Sequence, residues 1–206
     1  MHYWLLLVGW ASLFPFGIHT TDTRLSTTFG SSSHKVMART TSHGDTDTDE
    51  GWPVPPAGPN RLFYIQRSSN ANTIVYDAQL RKNGQFDPQE PVSVYWLRLA
   101  EQGQRQELSW IQRTLAYGIA DPERKGTSGL VTSVVSYRKR KLNLLVDPSG
   151  KPMAQIQING RLAQLHHVFV QIRDGQGPMG ISKIAHVDIF GQDPQTGKPV
   201  HERFVP

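Results

Sequence analysis

The chain contains no cysteine among its 206 residues. Disulfides, thiolate nucleophiles, iron–sulfur clusters, cysteine-based zinc sites and a lipid-modified N-terminal cysteine are all excluded, so stability must come from a conventional apolar core. Long apolar runs are missing too. The longest, WLLLVGWASLFPFGI at residues 4–18, falls short of the ~20 residues of a comfortable membrane span and has the length of a signal-peptide core. Catalytic signatures are equally scarce: there is no G-x-S-x-G elbow, which removes one familiar nucleophile motif. GQGPMG at 175–180 sits between strand-like segments, so no helix N-terminus follows it to receive an anion.

Residues 1–18 read as a signal peptide or a short N-terminal anchor, although the leading MHY carries no Lys or Arg and no small-x-small cleavage site follows. This places the protein outside the cytoplasm: periplasm, outer envelope or extracellular space. Residues 19–58 are rich in Thr, Ser, Asp, Gly and Pro, a composition that cannot offset an ordering entropy of ~1–2 kcal/mol per residue. They read as a disordered linker. Its acidic DTDTDE at 45–50 lacks the glycine and the later glutamate of an EF-hand loop. Residues 59–206 form the folded domain, with 19 Lys and Arg against 12 Asp and Glu.

What that domain does have is alternation. RLFYIQR (61–67), NTIVYDAQL (72–80), VSVYWLRL (92–99), GLVTSVVSY (129–137), LNLLVD (142–147), PMAQIQI (152–158), RLAQLHHVFVQIR (161–173), SKIAHVDIF (182–190) and KPVHERFVP (198–206) are strand-like runs bounded by turn residues. DPSG at 147–150 suits a type I turn, and NG at 159–160 suits a type I′ hairpin. The expected fold is mainly β: an antiparallel meander closed as a barrel or packed as a sandwich, with about eight or nine strands. One stretch keeps helical time. Leu108, Ile111, Leu115 and Ile119 form a stripe, with Trp110, Thr114 and Tyr117 beside it, so a helix over about 108–119 is predicted to close one end as a plug or the lid of a cavity.

Side chains that could carry chemistry are few. His186 and Asp188 are two apart on one strand and share a face, as a base and its orienter would, with His167 or His201 as a third partner. His166 and His167 leave opposite faces of their strand unless a bulge intervenes. Tyr64, Trp96, Arg113 and Tyr117 mark the aromatic half where a ligand pocket would lie. Arg138, Lys139, Arg140 and Lys141 form the densest basic run, at a strand junction, and offer a surface to an anionic polymer or lipid headgroup. No cofactor is indicated, no metal signature is complete, and nucleic acid is disfavoured because no recognition consensus occurs.

The stretches NRLFYIQRSSNANTIVYD, PVSVYWLRL, ELSWIQRTLAYGI and FGQDPQTGKPVHERFVP resemble a bacterial family, domain of unknown function family 4833 (DUF4833), across about residues 60–206. The resemblance implies a small exported protein and carries no catalytic residue with it. Three roles follow as expectations. The first is a non-catalytic exported β domain that binds a small apolar ligand or serves the envelope. The second is an envelope hydrolase using His186 and Asp188, and the third is a polyanion-binding module on Arg138–Lys141.

Overall fold

A computed structural model describes residues 52–126, 129–173 and 183–206, and the readings of residues 1–51, including the leader and DTDTDE, and of the loop at 175–180 lie outside them. Alternating apolar residues build most of the eleven strands among the described residues: β1 (Arg61–Arg67), β2 (Asn70–Ala78), β3 (Val92–Arg98), β4 (Gln104–Glu107), β5 (Glu123–Lys125), β6 (Gly129–Thr132), β7 (Leu142–Val146), β8 (Pro152–Ile158), β9 (Arg161–Ile172), β10 (Ile184–Gln192) and β11 (Pro199–Phe204). They form one curled sheet of order β4-β3-β2-β1-β9-β8-β7-β6-β5, with β10 joined to β9 and β11 to β10.

Two features differ from the meander barrel expected. The sheet is open: β4 and β5 stand at the two ends of its main path and do not pair with each other, and β11 ends the branch that leaves β9 through β10. One pairing is parallel, β1 with β9, in the register Tyr64 opposite His167 and Arg67 opposite Val170. The cause lies in β9. Its twelve residues outrun the hairpin partner β8, which covers only Arg161–Gln164, and the remainder of that edge is taken by β1, an early strand brought in from the far half of the chain.

The strands at the two ends of the main path, QRQE and ERK, are exposed at every residue. They have no apolar alternation to betray them, and their charges protect the ends of the sheet from pairing with another chain. The turns follow their local chemistry. Asp147 Oδ1 accepts from the amides of Ser149 and Lys151 at 2.8 and 2.9 Å, and Asn159 (φ 49°) with Gly160 (φ 76°) makes the two-residue turn with both positive φ angles that a type I′ hairpin requires. Ordered contacts start before residue 59, since Gln66 donates to the carbonyl of Pro53 at 3.0 Å and Pro55 is buried.

The helix is shorter than predicted. Ser109 opens it with a capping box: its hydroxyl accepts from the Gln112 amide while the Gln112 side chain accepts from the Ser109 amide. One α-helical turn, α1 (Trp110–Gln112), runs into a π-helical turn over Arg113–Tyr117, closed by the Gly118 amide donating to the Arg113 carbonyl at 3.0 Å. A Cβ on Gly118 would lie 2.0 Å from that same oxygen, so only glycine fits. The expected apolar stripe is not buried as a unit. Leu108 and Tyr117 are inside, but Trp110 is 76% and Leu115 43% exposed; Leu115 lies in the π turn, whose wider winding takes it off the 3.6-residue period. Within the π turn only Ala116 and Tyr117 are buried.

Candidate functional site

The concave side of the sheet holds a small apolar chamber of about 70 Å³. That exceeds the roughly 10–15 Å³ that one water needs and falls below the ~300–1,000 Å³ of a drug-sized pocket. Phe63 and Ile65 of β1, Val168 and Val170 of β9, and Val187 and Ile189 of β10 supply much of its wall. Two non-strand segments complete it, contributing Tyr117 from the π turn and Val134, Ser136 and Tyr137 from the stretch before β7. These segments are tied together: the Val135 amide donates to the Gly118 carbonyl at 2.9 Å, and the Ala120 amide to Ser133 at 2.8 Å. Tyr76 fastens the same place from below, its hydroxyl donating to the Tyr117 carbonyl at 2.8 Å. Burial pushes the Tyr76 phenol well above its ordinary pKa, with the neighbouring Tyr117 adding to the effect, so that hydroxyl keeps its proton.

Two arginines line this chamber, and they differ. Arg140 is bidentate to Glu202, at 2.6 and 3.0 Å, and lies over the Phe204 ring at 5.2 Å. Glu202 is held below the usual carboxylate range by the Arg140 bond first, against burial, and by the Asn159 amide. Arg67, 5% exposed, has no carboxylate within ion-pair distance among the described residues. Its Nη1 donates to the Tyr117 hydroxyl at a long 3.4 Å, its guanidinium sits 5.0 Å from the Trp96 ring centroid, and its buried Nε–H finds no acceptor. Desolvating a guanidinium costs several kcal/mol. A cation–π contact returns about 0.5–2 kcal/mol, and a neutral hydrogen bond about 1 kcal/mol. Arg67 is under-compensated by the protein around it.

On the convex side the balance is reversed. Asp188, 1% exposed, accepts from Arg203 Nε at 2.7 Å and Nη2 at 3.2 Å, from His201 Nε2 at 2.7 Å, and lies 3.2 Å from His186 Nε2. Burial alone would raise its pKa. The hydrogen bonds of Arg203 and His201, with the charges of Arg203 and His186, outweigh it, and the carboxyl stays below its ordinary value. His201 begins a stack of four rings set by strand register: His201 on Phe190 at 4.6 Å, Phe190 on His167 at 4.4 Å, and His167 on Tyr64 at 5.0 Å. Burial first, then the charges of His166 and His201, depresses the His167 pKa to about 4.

The predicted residues thus divide. His186, Asp188 and His201 do come together, whereas His167 is separated from the carboxylate by the Phe190 ring. A bulge at His166 shifts the β9–β10 register between Phe190–His167 and Gly191–Leu165. Leu165 and Val168 consequently both face the chamber, and the alternation expected at the two histidines is broken. Among the described residues no group of three or more ligand-type side chains is arranged to hold a metal ion, and Arg203 on Asp188 opposes a cation there. Of the aromatic set, Trp96 and Tyr117 meet edge-on at 5.3 Å, but Tyr64 belongs to the convex stack. Arg113 turns outward to Glu90 and Glu107, at 3.6 and 3.4 Å. In the basic run Arg140 is committed to Glu202, which leaves Arg138, Lys139 and Lys141 to the surface.

Arg67 and Arg203 escaped the sequence reading. Arg67 had a usable signal, since Phe63, Ile65 and Arg67 are spaced by two on β1, and a cation continuing an apolar face must be buried or bonded. Arg203 had none beyond its spacing from His201.

These features define a mainly-β domain: an open, curled sheet with a small apolar chamber inside and a saturated carboxylate outside. The family model for domain of unknown function DUF4833 matches residues 63–203, and the chain belongs to that family. No curated protein and no solved structure matches the chain.

Proposed function

We propose that this is a non-catalytic ligand-binding domain, exported by the apolar segment at 4–18, whose concave chamber accepts a small apolar group. The observation that carries the reading is the chamber itself, walled by β1, β9 and β10 and spanned by hydrogen-bonded segments around Gly118 and Val135. Apolar pockets with a few polar groups are the usual form of small-molecule sites. The hydrolase alternative finds less support. Both oxygens of Asp188 are engaged by Arg203, and among the described residues no serine or threonine hydroxyl is bonded to His186 or His201. The polyanion alternative rests on Arg138, Lys139 and Lys141 alone once Arg140 is paired.

Titrating the full chain with 1-hexanol while observing methyl NMR signals tests the proposal. Shifts concentrated at Ile65, Val170 and Ile189 are expected, and shifts absent there or spread over the surface overturn it. Export is tested separately by fractionating cells that express the full chain and weighing the recovered product.

A further inference from the structure

We propose that the chamber's ligand is a short aliphatic carboxylate whose head is received by Arg67, an inference that rests on the chamber being a binding site. Arg67 is a buried cation in the wall of that chamber, and the carboxylates that form ion pairs among the described residues, Glu202 included, serve other cations. The chamber's other arginine, Arg140, shows the contrast, with both Glu202 oxygens in place. The Arg67 Nε–H lacks an acceptor, and with the adjacent Nη2 it makes the edge of the planar fork that a carboxylate engages side-on. The Trp96 ring centroid lies 5.0 Å from the guanidinium carbon and the Tyr117 hydroxyl accepts from Nη1, which limits how the fork can turn.

Charge and size narrow the class. One cation matches one negative charge, so a phosphate dianion would bring a buried excess charge that nothing at the chamber offsets. The apolar wall receives an alkyl tail, and a space of about 70 Å³ encloses only its first few carbons.

The test compares sodium hexanoate with 1-hexanol, equal in chain length, on the full chain at neutral pH by NMR titration. Hexanoate is expected to bind at least about tenfold more tightly, the scale of one hydrogen-bonded charge pair, and to move the Arg67 Nε resonance. Arg67→Met should lose the preference for hexanoate over hexanol. Equal affinity for the two ligands, or an Arg67 Nε resonance that stays put while hexanoate binds, overturns the carboxylate assignment and leaves the chamber reading standing. Failure of both ligands to bind overturns the chamber reading as well. The Nε readout is made on the unaltered protein, so the test stands even where the variant does not fold.

Discussion

The two faces of the β1–β9–β10–β11 sheet treat buried charge in opposite ways. On the convex face a buried anion, Asp188, is bonded by Arg203 and His201 and flanked by His186. On the concave face a buried cation, Arg67, has an aromatic ring and one long hydrogen bond. A charge met by several partners is a structural rivet, because every lone pair is occupied and nothing remains to offer a substrate. A charge left under-compensated among apolar side chains is a source of instability that a ligand can relieve. Similar chemistry therefore points to architecture on one side and to binding on the other.

The largest break in this contrast should come from Asp188→Ala, which removes the common partner of three basic groups. A loss of about 3 kcal/mol is expected, somewhat below the upper range for a buried pair because His201 and Arg203 can rehydrate, read as a fall in the urea midpoint. Acid comes next. With its pKa at about 4, His167 stays neutral in the fold while the unfolded chain takes up a proton near its ordinary ~6.5. Stability is complete above that value and declines as pH falls from about 6.5 towards 4, by roughly 3 kcal/mol at most. Asp188, depressed in the fold, adds a further loss below about 4. Urea midpoints across this range check the slope, and His167→Phe should flatten its upper part.

The concave side should answer with the opposite sign. Without ligand, Arg67→Met is expected to raise the melting temperature, by the equivalent of about 1 kcal/mol, since an apolar side chain of similar length replaces an under-compensated cation. A marked fall in melting temperature would make Arg67 a rivet like Asp188 and erase the contrast. The smallest effect belongs to Trp110→Ser. With 76% of Trp110 exposed, the change should stay within about 0.5 kcal/mol, whereas a plugging helix would lose several times that.

Much of this fold was legible in the residues. β1 and β8 have the bounds that their apolar runs and flanking turn residues implied, 61–67 and 152–158, and β8 writes its buried face into every second residue. The Asp147 and Asn159–Gly160 turns were equally readable, since their backbone demands are met by the residues themselves. β4 and β5 were not: an exposed edge strand is defined by the neighbour it pairs with and needs no apolar pattern of its own. The helix was overread because apolar spacing cannot distinguish an α turn from the π turn that follows Gln112.

Of the site, one relation was visible and the decisive ones were not. His186 and Asp188 share a face by strand geometry alone, and that spacing holds. Whether Asp188 is a base's orienter or a rivet depends on Arg203 and His201 arriving from β11. Whether Arg67 is buried with or without a partner depends on Tyr117, fifty residues away. The sequence by itself determined the apolar strands, the tight turns and the absence of any thiol chemistry, because those follow from local backbone preference and composition. Only the tertiary structure decided the parallel β1–β9 pairing, the bulge at His166 and the unequal fates of two buried charges, because each depends on which distant segments share an edge or a face.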